Sequence, residues 1–292
     1  MTALDAVREV ARDLEAAGVP SPRVDAEHLV AHALGATRTQ LYASNGGISA
    51  QAAERLRGLV SRRRAREPLA YVLGEWGFRR LTLAVDRRAL VPRPETEVVV
   101  ERCLAALEGF ERPRVLDVGV GSGAIALALA DEHPGVSVVA VDRSRDALAL
   151  ARENLRRLDR DGFAARVDFV HGDLLAGVAG PFDLVVSNPP YVPAAEYEAL
   201  QPEIRLYEPY DAVVGEGVWE RIAAAARPAL RARGRLVLEC GDGQAGEVAA
   251  GLRRLGYEEV VTTADLAGRP RVVEGTRPWP PCQGSDPRRV PR

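Results

Sequence analysis

The feature that most constrains the fold of this chain is a regular alternation of apolar strands and helical stretches, which begins at Arg114. Helical patterns separate most of the strands and span residues 123–131, 145–158, 218–231 and 244–255. Strands that alternate with helices are typical of a mostly parallel, doubly wound sheet. The sequence therefore predicts an α/β domain with seven strands, at residues 114–119, 137–142, 167–172, 182–187, 234–240, 257–263 and 271–275.

The residues before this domain carry helical patterns instead. Apolar side chains recur at helical spacing from Leu4 to Leu14 and again over residues 25–34, and Ser49 can cap a third helix. Arginines are concentrated in and just after that third helix, at positions 55, 57, 62, 63, 64 and 66. This run is either a solvated helix face or a docking surface for an acidic or RNA-associated partner.

A short hairpin and an extended segment connect the two regions. Residues 76–78 and 81–85 have the pattern of two β-strands with a turn between them, and Pro92 and Pro94 restrict the backbone that follows to extended conformations. A helix is predicted over residues 95–107. We therefore divide the chain into a small helical N-terminal domain (1–70), a β-hairpin linker (71–94), the α/β domain (95–276) and a tail (277–292) whose composition predicts disorder.

The composition excludes several classes of protein. A formal net charge of -2 gives no overall attraction to nucleic acid, so we expect no direct nucleic-acid partner. Three widely spaced cysteines, four scattered histidines and the absence of lysine predict no disulfide framework, no metal site and no lysine nucleophile. The N-terminus lacks the apolar segment of a signal peptide, and no stretch is apolar over the length of a membrane span, which predicts a cytoplasmic protein.

A glycine-rich loop follows the first strand of the α/β domain. Gly119 and Gly121 allow a tight turn that brings backbone N–H groups close to a ligand, and Asp142, at the end of the next strand, can accept from two ribose hydroxyls. The same spacing satisfies the dinucleotide fingerprint, so the loop alone leaves a methyl donor and a nicotinamide or flavin dinucleotide open. Asp117 favours the methyl donor, because a carboxylate there repels a pyrophosphate but suits an amino group and a sulfonium.

The sequence Asn188-Pro189-Pro190-Tyr191 directly follows the fourth strand, at the edge of the sheet where ligands bind. Two consecutive prolines make a rigid corner without backbone donors, which leaves carbonyl oxygens, the Asn188 side-chain oxygen and the flat face of Tyr191. Two acceptors and an aromatic face suit a planar NH2 group. Together with the glycine loop, this motif predicts methyl transfer to a planar amide or amino nitrogen.

Nearly the whole chain resembles the release-factor glutamine N5-methyltransferases. The resemblance implies a Rossmann-like methyltransferase domain, S-adenosyl-L-methionine as methyl donor and, as substrate, the glutamine of the Gly-Gly-Gln motif in class I peptide-chain release factors. Two places depart from the family pattern: Val120 stands where threonine is common, and residues 214–219 are shorter and lack an aspartate. The matching segments are, in chain order, 68–74, 90–97, the Asp117 loop, Asp142, 172–173, 187–191, 207–209, 238–241, Gln244 and 265–271.

The resemblance also assigns roles to individual residues. Asn188, Pro189 and Tyr191 are expected to be catalytic, and with Pro190 they are expected to bind the target amide. The methyl donor is expected to contact Asn188 and residues of the glycine loop and of the next two strand ends, namely Asp117, Gly119, Val120, Gly121, Ser122, Gly123, Asp142, Asp173 and Leu174.

The alternative enzyme class is an adenine-N6 or cytosine-N4 nucleic-acid methyltransferase. Such enzymes use a motif similar to Asn188–Tyr191 to hold an exocyclic amine, but they must also flip a base and neutralise phosphates. The near-neutral charge and the lack of an obvious target-recognition insert weigh against this alternative.

Overall fold

The computed structural model describes residues 1–44, 46–158 and 162–279. Three helices at the N-terminus agree with the sequence patterns, and the Ser49 hydroxyl caps one of them by accepting from the Ala52 N–H. Two further helices were not predicted, because seven and five residues are too short to establish a helical period. The helices are α1 (Ala3–Ala16), α2 (Pro22–Leu34), α3 (Arg38–Ser44), α4 (Ala50–Arg64) and α5 (Leu69–Leu73).

Strands β1 (Glu75–Phe78) and β2 (Leu81–Ala84) form the predicted antiparallel hairpin. The main sheet follows, with the strands β3 (Arg114–Val118), β4 (Ser137–Asp142), β5 (Val167–His171), β6 (Phe182–Ser187), β7 (Leu230–Glu239), β8 (Glu258–Ala264) and β9 (Pro270–Thr276). Their order across the sheet is β5-β4-β3-β6-β7-β9-β8, and all pairs are parallel except the two that involve β9. The predicted α/β, Rossmann-like, mostly parallel sheet of seven strands is confirmed.

Helices cover both faces of this sheet. Helices α6 to α8 pack on one face with the apolar residues of the hairpin, and α11 and α12 pack on the other. Because both faces are covered, the central strand β6 is buried along its whole length. The helices are α6 (Pro94–Ala106), α7 (Ala124–Glu132), α8 (Arg145–Leu158), α9 (Pro202–Tyr207), α10 (Tyr210–Val213), α11 (Val218–Ala229) and α12 (Ala245–Arg254).

In the α/β domain, two boundaries differ from the sequence prediction by more than one residue. Helix α11 ends at Ala229 rather than at residue 231, and β7 begins at Leu230 rather than at residue 234. Residues 231–235 are Arg-Ala-Arg-Gly-Arg and contain no large apolar side chain that would indicate a strand, and Arg233 has a positive φ. Strand pairing with Phe182, which is not a local property of the sequence, therefore sets the start of β7.

The tail predicted to be disordered lies, from residue 280 onward, outside the described residues. Within the described part of the chain, no helix combines the length and apolar character that crossing a membrane requires.

The arginine run near α4 is mostly engaged inside the molecule. The Arg63 guanidinium donates to Asp25 at 2.7 Å and to Glu203 of α9 at 2.8 Å, and its side chain is only 5% exposed. Arg66 donates to both oxygens of Glu203. Burial alone would raise the pKa of Glu203, but hydrogen bonds from the two arginines hold it below its usual range. The run thus ties the N-terminal helices to the α/β domain, which neither interpretation of the sequence had anticipated.

This network generates a stability prediction. Arg63→Ala leaves Asp25 without its 2.7 Å partner and removes one of the two arginines on Glu203, and unpairing a buried charge is expected to lower the free energy of unfolding by about 3–5 kcal/mol. The matched control is Arg57→Ala, whose exposed side chain pairs with exposed Glu54 and should change stability by less than about 0.5 kcal/mol. Urea unfolding followed by circular dichroism measures both, and equal effects would contradict the structural role of Arg63.

Candidate active site

A cleft of about 710 Å³ opens at the carboxyl ends of β3, β4 and β6. In a doubly wound sheet this edge is where ligands bind, and the volume is within the range of small-molecule sites. The wall is built mainly from the segment before α6, Thr96 in the first turn of α6, the residues at the ends of the strands, and α10. The lining includes residues 88–93, 96, 118–122, 141–144, 172–174, 187–190 and 209–212.

The carboxylate of Asp142 joins two loops of the cleft. One oxygen accepts from the Gly121 N–H at 2.9 Å, and the other accepts from the Ser144 N–H at 2.8 Å. The Val141 carbonyl accepts from the N–H groups of Gly119 and Val120, at 2.8 and 3.1 Å. The glycine loop is therefore folded against the end of β4, and each Asp142 oxygen keeps a lone pair for a further donor.

Asn154 of α8 supports the same loop from beneath, a role that no sequence motif indicates. Its fully buried amide donates to the Ser122 carbonyl at 2.9 Å and to the Ala84 carbonyl at 3.0 Å. Its side-chain oxygen accepts from the Ala84 N–H at 2.7 Å. The hairpin, α8 and the glycine loop are thereby fixed to one another through a single side chain.

Asp117 lies beneath the glycine loop and not on the cleft wall. One carboxylate oxygen accepts from the Ala126 N–H at 3.1 Å, and the other has no hydrogen-bond partner among the described residues. Burial, with a smaller contribution from the charge of Asp142, raises the pKa of Asp117 to about 7, against the effect of the Ala126 hydrogen bond. In this position Asp117 links β3 to the first turn of α7, and a direct contact with the methyl donor stays a prediction.

The Asn188 side chain is held by a chain of hydrogen bonds that the sequence analysis did not identify. Its NH2 group donates to the Thr96 hydroxyl at 3.1 Å, and that hydroxyl donates to a Glu239 carboxylate oxygen at 2.7 Å. Thr96 and Glu239 are both buried. Since its NH2 group is engaged in this way, the Asn188 oxygen remains for the cleft. The one sequence feature that points to Thr96 and Glu239 is that both lie in segments that match the family pattern.

Residues 189–191 complete the corner after β6. Pro189 and Pro190 line the cleft, whereas the Tyr191 ring lies outside the lining, against Gly241. The Tyr191 carbonyl accepts from the Gln244 side chain at 2.9 Å, and burial raises the pKa of the Tyr191 hydroxyl to about 12. Its stacking on a substrate amide stays a prediction.

The segment that departs from the family pattern closes the cleft behind Pro190. The Gly215 N–H donates to the Val192 carbonyl at 3.1 Å, and Val214 forms a parallel bridge with Val192. A Cβ atom on Gly215 would lie 2.7 Å from the Pro190 carbonyl oxygen, so only glycine fits here. The shortened loop thus packs directly on the Asn188–Tyr191 corner.

The outer wall is tied to the segment before α6 by an ion pair. Arg93 donates to both oxygens of Glu208, at 2.8 and 2.6 Å, and the Glu208 side chain is only 1% exposed. Burial raises the pKa of Glu208, and the nearby Arg93 charge opposes this effect. This contact holds residues 209–212, including Tyr210, opposite the glycine loop.

Most of the predicted site residues are brought together by the fold. Asp117, Gly123 and Tyr191 lie outside the lining of the cleft. The residues that line it are Gly119, Val120, Gly121, Ser122, Asp142, Asp173, Leu174, Asn188, Pro189 and Pro190.

Family models match both parts of the chain. The model of the PrmC N-terminal domain matches residues 5–74, and that of the methyltransferase small domain matches residues 96–204. Among solved structures, a methyltransferase from Pyrococcus furiosus superposes on 68% of this chain and 89% of its own, with a TM-score of 0.48 and 20% sequence identity.

Relatives that align over most of this chain are release factor glutamine methyltransferases. A release factor glutamine methyltransferase from Deinococcus radiodurans is 44% identical over 280 residues, which cover 94% of this chain and 98% of the relative. One from Rhodospirillum rubrum is 42% identical, over 92% and 84% of the two chains. The fold, the cleft and the matched domain define a methyltransferase. Within that class, the chain belongs to the family of release factor glutamine methyltransferases.

The turn into α7 requires a glycine at position 123. Gly123 has φ +90°, and a Cβ atom there would lie 2.9 Å from a Leu127 methyl carbon. Gly123→Ala should therefore lower the free energy of unfolding by about 1–3 kcal/mol, from backbone strain and crowding. Gly246→Ala in α12 is the control, because its Cβ meets nothing within 4 Å and should stabilise the helix by up to about 1 kcal/mol. Destabilisation by both variants would contradict the role assigned to the turn.

Proposed function

We propose that this chain transfers a methyl group from S-adenosyl-L-methionine to the side-chain amide nitrogen (N5) of the glutamine in the Gly-Gly-Gln motif of class I peptide-chain release factors. The observation that supports it best is the orientation of Asn188, whose NH2 group is engaged by Thr96 so that its oxygen is left for an N–H donor in the cleft. The names of the relatives supply the substrate. The proposed substrate belongs to the translation machinery, so we assign the reaction to the cytoplasm.

The cleft fits the proposed methyl donor. Residues 119–122, which include Gly119 and Gly121, line the cleft, and the Asp142 oxygens retain acceptor capacity for two ribose hydroxyls. Asp173 and Leu174, at the end of β5, would border the adenine. When bound, S-adenosyl-L-methionine supplies an electrophilic methyl group on a sulfonium. The loop residues would hold that ligand, while Asn188 and Pro189 would hold the amide.

An amide nitrogen is a weak nucleophile because its lone pair is delocalised into the carbonyl group. The Asn188 oxygen and the Pro189 carbonyl would accept the two N–H bonds of the glutamine amide, which fixes its rotation and aligns the nitrogen with the methyl group. Positive charge moves onto the nitrogen during the transfer, and the same two oxygens would stabilise it there. The methylated amide then loses a proton readily, so no separate base is required.

We assign substrate recognition to residues 1–70, a connecting role to the hairpin at 71–94 and catalysis to 95–276. The contacts that support this division are Arg63 and Arg66 with Glu203, which fix the N-terminal helices beside the outer wall of the cleft. The nucleic-acid methyltransferase alternative is not favoured, because the net charge is -2 and the arginines near α4 are largely paired internally. A transfer assay with isotopically labelled donor, offered release factor or DNA, separates the two activities.

Asn188 supplies the central prediction for the chemistry. Asn188→Ala removes the proposed acceptor, and losing one preorganised polar contact should lower single-turnover methyl transfer by roughly 10²–10³-fold. Donor affinity, measured by calorimetry on the same variant, should fall much less, because most of the proposed donor contacts lie on the glycine loop and Asp142. Normal donor binding with nearly normal transfer would mean that residues 188–191 form only a turn.

The domain assignment has a separate test. A chain that begins at Pro68 would leave Glu203 without both of its arginines, so the truncated protein should also carry Glu203→Gln. It should bind the donor and methylate a short Gly-Gly-Gln peptide like the full chain, yet methylate intact release factor poorly at low concentration. Full-length Glu203→Gln is the control, and undiminished activity of the truncated protein on the intact factor would overturn the recognition role.

A further inference from the structure

We propose that Thr96 and Glu239 are positioning residues that determine which end of the Asn188 amide faces the cleft. This inference rests on the proposed function and deepens it, since it explains why the oxygen of Asn188 is the end offered to the substrate. Neither residue is assigned a chemical step.

The three side chains come from separate parts of the fold. Thr96 lies in the first turn of α6, Glu239 ends β7, and Asn188 follows β6. The Asn188 nitrogen lies 3.1 Å from the Thr96 oxygen, which lies 2.7 Å from a Glu239 oxygen. Thr96 and Glu239 are 4% and 2% exposed, so water has little access to either. These contacts join residues 92 and 143 positions apart in the chain.

The direction of the hydrogen bonds follows from the chemistry of the three groups. An ionised carboxylate only accepts, so the Thr96 hydroxyl must use its one proton to donate to Glu239. Its remaining lone pairs can then only accept, and the Asn188 side chain must present NH2 to Thr96 and its oxygen to the cleft. The reversed amide would leave two acceptors facing each other at Thr96 and would point a donor at the N–H bonds of the substrate.

The Asn188 amide is restricted to this orientation only while the Glu239 carboxylate is ionised. Burial raises the pKa of Glu239 to about 7, although the Thr96 hydrogen bond lowers it. Arg93, which precedes α6, and Glu95, in its first turn, are the nearest charged groups on that side of Glu239. The other charged or titratable groups around it are Arg271 on β9, Tyr191 after β6, and Cys240, the next residue in the chain. When Glu239 is protonated it can donate to Thr96, whose own proton is then free for the Asn188 oxygen. Orientation should therefore be lost as the pH falls through about 7.

Kinetics of the full-length enzyme on release factor test the role of this relay, the chain of hydrogen bonds from Asn188 through Thr96 to Glu239. Thr96→Val removes the hydroxyl with little change in volume and should lower single-turnover methyl transfer by about 10–100-fold, the scale of one lost positioning contact, with donor affinity nearly unchanged. Thr96→Ser keeps the hydroxyl and should restore the rate to within about threefold of the wild type. Thr262→Val, the same substitution at an exposed position on β8, is the control and should have no effect. A normal rate for Thr96→Val, or an equally slow Thr96→Ser, would overturn the proposal.

A second measurement does not depend on turnover. The side-chain NH2 resonances of Asn188, identified by their loss in Asn188→Ala, should shift between pH 6 and 8 as Glu239 titrates at about 7. The shift should be absent in Glu239→Gln, which has no ionisable group. If the wild type methylated no release factor, the proposed function would be wrong. The titration would still show whether Glu239 and Thr96 orient the Asn188 amide. Resonances that titrate equally in both proteins, or in neither, would contradict it.

Discussion

The geometry of the site depends on the Asp142 carboxylate, which accepts a backbone N–H from each of the two loops that follow β3 and β4. Parallel strands bring these loops to one edge of the sheet, and Asp142, as a shared acceptor, fixes them relative to each other. Asn154 adds a second fixed point by binding both the Ser122 carbonyl and the hairpin. The cleft wall is thus held by contacts between side chains and backbone within the protein itself, which is what a preorganised site requires.

The opposite wall is held by side chains that cross the molecule. Glu239 and Thr96 orient Asn188, and Arg93 fixes the outer segment through Glu208. All five of these side chains carry polar groups that are at least partly removed from water, so each contact is costly to leave unmade. This rigidity would favour the proposed reaction, because an amide nitrogen reacts only when it is closely aligned with the methyl group.

The sequence predicted the seven strands, their mostly parallel arrangement and the family, because apolar periodicity and the motifs at residues 115–123 and 188–191 are local properties. It did not predict α3 and α5, which are too short to establish a period. It also missed the pairs Arg63–Glu203 and Thr96–Glu239, whose members lie 140 and 143 positions apart. No local pattern reports such contacts, so the sequence predicts a surface for the whole arginine run, whereas Arg63 is buried.

The proposed activity of this chain is methylation of one particular amide nitrogen. Mass spectrometry of a release factor incubated with the enzyme and S-adenosyl-L-methionine tests it most directly. We expect the peptide that contains Gly-Gly-Gln to gain the mass of one methyl group in place of hydrogen, and fragmentation to locate it on the glutamine side chain. An unmodified peptide, or a methyl group on any other residue, would contradict the account.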